Sequence, residues 1–112
     1  MEEITNEQIN KVFGIIFQEY RQKNQITQEK FAEELTKSTK TISQIETGKD
    51  GTSKKTDIDF MNFLGITPNT LYKAFITNPE LKRKVEIDEK ISELEPNKIE
   101  ALFQIVEALK NL

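Results

Sequence analysis

The 112-residue chain is predicted to be all-α, with five helices in one domain followed by a C-terminal helical hairpin. Three observations carry that prediction. Apolar residues recur at helical spacing along most of the chain, and no stretch sustains the alternation of a strand. Glycine is rare, with four residues. Capping residues, two of them followed directly by proline, recur at intervals that mark helix starts.

The first helix is expected from Asn6 to about Lys23, where Ile9, Val12, Phe13, Ile16, Phe17 and Tyr20 make one apolar stripe. Thr27 caps a second, Gln28 to Leu35, which buries Phe31, Ala32 and Leu35. Ser38 caps a third, Thr39 to about Thr47, which Gly48 stops. The segment GKDGTSKKT reads as a loop. After it, Ile58, Phe60, Met61, Phe63 and Leu64 belong to a fourth helix that ends at Gly65. Thr67-Pro68 opens a fifth with Leu71, Tyr72, Phe75 and Ile76, Asn78-Pro79 a sixth to about Leu94, and Pro96 a seventh.

Composition narrows the function. Cysteine and histidine are both absent, which removes disulfides, thiolate metal sites and the commonest general base. Neither a glycine-rich phosphate loop nor a metal-ligand cluster is present. The acidic pairs Glu2/Glu3 and Glu33/Glu34 read as solvated faces. No enzyme, cofactor or metal is therefore expected. No run approaches a membrane span and the start, MEEITNEQ, is acidic rather than signal-like, so a cytoplasmic protein is expected. The net charge of −3 conceals a distribution, because residues 21–55 carry eight Lys/Arg against five Asp/Glu while both flanks are acidic. A positive middle of this kind suits a phosphate-facing surface.

On a wheel of about 100° per residue, Thr39, Lys40, Ser43, Gln44 and Thr47 share one polar arc of the third helix, opposite Ile42 and Ile45. Ala32 is small enough for that helix to cross the second closely. Two short helices joined by a tight turn, the second with a polar outer face, make a helix-turn-helix whose second helix fits a major groove.

Here the sequence resembles the Xre/Cro-type helix-turn-helix proteins, which include temperate-phage repressors. The resemblance runs through FGIIFQEYRQKNQITQEKFAEELTKSTKTISQIETGK and on through FMNFLGITPNTLY, roughly residues 13–76. Gly14, Phe17, Tyr20 and Arg21 match the first helix of that family, Thr27-Gln28 its second, and Ser38 to Gly48 its recognition helix. The chain departs from the pattern at Thr36, where the family usually has its turn glycine, at Lys37, and at Thr52 and Lys54 before the fourth helix.

The resemblance implies a phage-repressor-like DNA-binding domain over residues 1–77, with its motif at about 27–48, and a C-terminal oligomerisation segment over 78–112. It implies that Ser38, Thr39, Lys40, Ser43 and Gln44 face bases, and that Gln28, Thr47, Lys49, Lys54 and Lys55 meet phosphates. Arg21 and Glu46 are implied to form a structural ion pair. The chemistry agrees: the Gln44 amide suits adenine, Lys40 suits guanine O6/N7, and the Thr39 and Thr41 methyls suit thymine. In the last helix Ile99, Leu102, Phe103, Val106 and Leu109 form a stripe expected to bury against a second copy.

The expectation is a dimeric, sequence-specific regulator of double-stranded DNA acting as a repressor on a palindromic operator, with too little chain left for a ligand-sensing domain. The alternative is a protein-interaction module of the same fold, such as an antitoxin or antirepressor, with an unknown protein partner. Loss of Lys40 and Gln44 would disable the first and leave the second intact.

Overall fold

The computed structural model describes residues 3–112. Among them are seven α-helices and no strand: α1 Asn6–Lys23, α2 Gln28–Glu34, α3 Thr39–Glu46, α4 Lys54–Leu64, α5 Pro68–Tyr72, α6 Pro79–Ser92 and α7 Pro96–Lys110. A single 3-10 turn, Lys73–Phe75, follows α5. The side chains of Thr5, Thr27, Ser38, Ser53, Thr67 and Asn78 each accept a hydrogen bond from the backbone N–H three residues on. Every such cap satisfies a donor that the helix itself cannot, and is worth about 0.5–2 kcal/mol. α7 begins instead with Pro96 at its first position and no side-chain cap.

The chain forms two compact units, one reaching to Phe75 and the other spanning Ile76–Leu112. In the first, Phe17, Phe31, Phe60, Ile42 and Leu71 are fully buried. Phe17 and Phe31 each meet the Phe60 ring, at centroid distances of 4.7 and 4.8 Å. These ring contacts add about 0.5–1.5 kcal/mol apiece to the burial. α3 packs on both α1 and α2, with Ile42 and Ile45 turned inward and Ala32 buried beneath the crossing.

Gly14 lets α1 approach the end of α3. A Cβ there would lie 2.4 Å from the Ile45 carbonyl oxygen and 2.7 Å from that of Glu46. Both obstacles are backbone, so no side chain can swing aside. At the α2–α3 turn, Thr36 has φ 56°. A β-branched residue thus stands in the left-handed region, where its Cβ crowds the following carbonyl.

The structure revises several sequence expectations. α4 starts at Lys54, inside the segment read as a loop, because Ser53 caps it. Its inward side is Asp57, Phe60 and Leu64, so Ile58 and Phe63 fall to either flank and are 53% and 39% exposed. The fifth helix tightens into the 3-10 turn after Tyr72 and ends short of Ile76. The sixth ends at Ser92 rather than Leu94. Glu33 and Glu34 are exposed, as is Glu3, while Glu2 lies outside the described residues.

In the second unit Val85 is buried on α6, whereas Leu81 and Ile87 are exposed. No residue of α7 is buried. Among the described residues, no helix is long and apolar enough to cross a membrane.

Two substitutions are expected to move stability in opposite directions. Thr36→Gly relieves a left-handed cost of about 1–2 kcal/mol and loses about 0.5–1 kcal/mol to the greater freedom of glycine in the unfolded chain, a net gain. Gly14→Ala overpacks the α1–α3 contact and should cost about 1–3 kcal/mol. Urea unfolding of the two variants against the wild type reads both.

Candidate nucleic-acid interface

The helix with the polar arc is held from below. Arg21, at the end of α1, donates from Nε to Glu46 Oε2 at 2.6 Å and from Nη2 to Glu46 Oε1 at 3.0 Å. Its Nη1 donates to the Ile26 carbonyl at 2.7 Å, which ties in the loop before α2. Gln28, the first residue of α2, donates from Nε2 to Glu46 Oε1 at 2.9 Å. α1 and α2 thus converge on one carboxylate of α3 whose side chain is 1% exposed. A planar guanidinium fork meeting a carboxylate through two bonds fixes orientation as well as distance. Among the described residues no buried side-chain polar atom lacks a partner.

On the outer side of α3 the hydrogen-bonding groups divide into committed and free. Ser38 Oγ accepts from the Thr41 N–H and shares a 2.9 Å bond with the Thr41 hydroxyl. The Thr47 hydroxyl donates to the Ser43 carbonyl at 2.9 Å. In this conformation Thr47 has no proton for a phosphate, and Ser38 serves chiefly as the cap. Both were expected at the DNA, and the local backbone competes for both hydroxyls. Thr39, Lys40, Ser43 and Gln44 make no side-chain hydrogen bond, ion pair or ring contact among the described residues.

The lysines after α3 also divide. Lys49 is exposed on the segment beyond Gly48, where its N–H donates to the Gln44 carbonyl at 2.9 Å. Lys54 and Lys55 lie on the first turn of α4, where both are exposed. Lys55 Nζ pairs with Asp59 at 2.7 Å, one helical turn on. An exposed pair of this kind is weak and can exchange for another anion.

Sequence reasoning did not foresee two contacts. One is the Gln28–Glu46 bond, for which the only sequence signal is that Glu46 borders the buried face. The other is the Thr52 hydroxyl donating to the Asp57 carboxylate, which links the loop to the first turns of α4. Asp57 is buried, and burial pushes its carboxyl above the ordinary value of 3.8, against the opposing pull of the Thr52 hydrogen bond. Among the described residues no cluster of acidic side chains is arranged to hold a metal ion.

Two short helices crossing at a tight turn, the second with its inner face packed and its outer face carrying unpartnered polar groups, define a helix-turn-helix protein. Residues 14–75 match the helix-turn-helix domain family, and the chain belongs to it. That family is typical of Xre-type transcriptional regulators, and the domain is the kind that DNA-binding regulators use. No curated protein and no solved structure matched the chain.

Glu46→Ala should destabilise by about 3–5 kcal/mol, since it leaves the Arg21 guanidinium buried and uncompensated. Replacing both as Arg21→Met/Glu46→Leu should recover most of that loss, because the stranded charge goes with its partner. Urea unfolding of the wild type, Arg21→Met, Glu46→Leu and the double variant measures the coupling, and additive losses would mean the pair contributes none.

Asp57 makes a pH prediction. Its raised folded-state pKa means that the folded protein holds this proton more tightly than the unfolded chain does. The contribution is therefore fully favourable below the unfolded value and is lost as pH rises through the folded one. At neutral pH the buried carboxylate opposes folding. Asp57→Asn keeps an oxygen for Thr52, so its stability relative to the wild type should be higher at pH 7 than at pH 3. Unfolding curves at the two pH values test the sign.

Proposed function

We propose that the chain is a sequence-specific, double-stranded DNA-binding repressor that acts by occupying a promoter. One observation carries the reading above all: α3 offers four unpartnered polar side chains on a helix whose opposite face is locked in place. Helix surfaces that serve stability are laced with opposite charges at one-turn spacing, and α1, α2 and α4 each have such a pair. α3 has none among the described residues. Thr39, Lys40, Ser43 and Gln44 read base edges, with Gln44 suited to adenine and Lys40 to guanine. Gln28, Lys49, Lys54 and, on exchanging Asp59 for a phosphate, Lys55 hold the backbone, while Ser38 and Thr47 support the helix ends. Residues 1–77 form the DNA-binding part and 78–112 the assembly part.

The test is selection of bound sites from a random duplex pool, followed by affinity measurements across a salt series. Affinity should fall by about 0.9 log units per phosphate contact for each log unit of salt. Lys40→Ala and Gln44→Ala should each lose roughly 1–3 kcal/mol of discrimination while leaving random-duplex binding largely intact. No preference over random duplex, or indifference to both substitutions, would sink the regulator reading and favour a protein-interaction module.

The repressor acts as a two-fold dimer through α7. Phe103, Ile105, Val106 and Leu109 are 56%, 58%, 42% and 60% exposed, Ile99 is exposed, and Leu102 is half-buried. A lone 15-residue helix is marginal in water, and one this apolar is stable only when covered. A second copy supplies an identical apolar face and makes the contact self-complementary. Two recognition helices then meet half-sites about one helical turn apart. Sedimentation should show a dimer for the full chain and a monomer for Phe103→Lys/Leu109→Lys, with operator affinity falling alongside. A wild type that sediments as a monomer at micromolar concentration would exclude this assembly.

A further inference from the structure

We propose that Glu46 is a positioning residue for the nucleic-acid backbone: it holds one N–H of the Gln28 amide and so aims the other at a phosphodiester oxygen. The inference rests on the DNA-binding reading and adds to it a role for a residue that touches no DNA itself.

A glutamine side chain is a poor phosphate ligand by default. Its amide has an oxygen end that only accepts and a nitrogen end with two donors, nearly equal in shape. A half-turn about the last bond presents the wrong end to a phosphate, which accepts only. Ordering the long side chain costs rotamer entropy besides. Glu46 removes both problems. An ionised carboxylate has no donor, so the nitrogen end of Gln28 must face it, and the two lie 2.9 Å apart. The second N–H leaves the same nitrogen at about 120°, as trigonal geometry requires. Gln28 is only half-buried, and that second N–H has no partner among the described residues.

A carboxylate near a phosphate site would ordinarily repel the ligand. Arg21 cancels that repulsion, since its guanidinium occupies both oxygens of Glu46, at 2.6 and 3.0 Å. The same fork keeps Glu46 from following Gln28 when it moves. The ion pair is therefore a neutral, immobile acceptor, which is what a fixed donor needs behind it. The second N–H is offered whatever the base sequence, so the contact anchors the motif without reading it.

The experiment uses the full chain and a random-sequence duplex. Affinities are measured for the wild type, Gln28→Ala, Arg21→Met/Glu46→Leu and the triple variant, each checked for helical circular dichroism. Gln28→Ala should weaken the wild type roughly tenfold, the scale of one hydrogen bond to a charged group. In the Arg21→Met/Glu46→Leu background the same change should cost less than about twofold, because the amide is no longer held. An equal loss in both backgrounds overturns the proposal, as does no loss in the wild type. If the double variant fails to fold, Glu46→Gln replaces it, since its amide can face Gln28 with either end, and the same two outcomes apply. A second readout needs no DNA: one of the two Gln28 side-chain amide protons should be shifted in the wild-type NMR spectrum and return toward the free position in Glu46→Gln. Unchanged proton positions count against the anchoring. A wild type that binds no duplex removes the DNA-binding reading itself, whatever the amide protons show.

Discussion

Arg21 and Glu46 stand 25 residues apart in sequence and meet through two hydrogen bonds in a place that water barely reaches. The fine orientation of α3 depends on that meeting. Apolar packing by Ile42 and Ile45 decides which face of α3 is buried, but burial is non-directional and tolerates a range of small rotations about the helix axis. A planar fork admits one. A buried ion pair is weak evidence of stability, since desolvating two charges offsets most of their attraction. Its value here is geometric: it refines the rotation of an eight-residue helix whose inner face Ile42 and Ile45 define.

Small residues and caps do the rest of the positioning. Gly14 lets α1 lie against the last carbonyls of α3, and Ala32 lets α2 cross beneath it. Caps at Thr27 and Ser38 stop the two short helices from fraying at their N-termini, the second of them at the turn. Thr36 then sits at positive φ between them, a strain tolerated because the helices on both sides are pinned by the core. The aromatic contacts of Phe60 with Phe17 and Phe31 bring α4 onto the same centre. The polar arc of α3 is thus displayed on a rigid support.

The second unit follows different physics. Its helices have good starting signals at Asn78-Pro79 and Pro96, yet little of their apolar surface is covered. Local signals can define a helix without defining what it packs against. In the first unit each apolar stripe finds its counterpart within the same chain. In the second the counterpart is the dimer partner we propose.

What could be read without coordinates were features of short range. Helical period, capping residues and the proline positions place all seven helices, because each is decided within a few residues of chain. The polar arc of α3 was legible for the same reason, being a matter of angle around one helix. The start of α4 was missed because Ser53 competes with several neighbouring polar residues in a segment lacking apolar period. Tertiary structure alone decided the rest: that the Gln28 amide bonds to Glu46, and that Asp57 is buried beside Thr52. Each of these depends on where two side chains end up once helices cross or turns close, and periodicity, which carries only the angle about a single axis, holds no information about that distance.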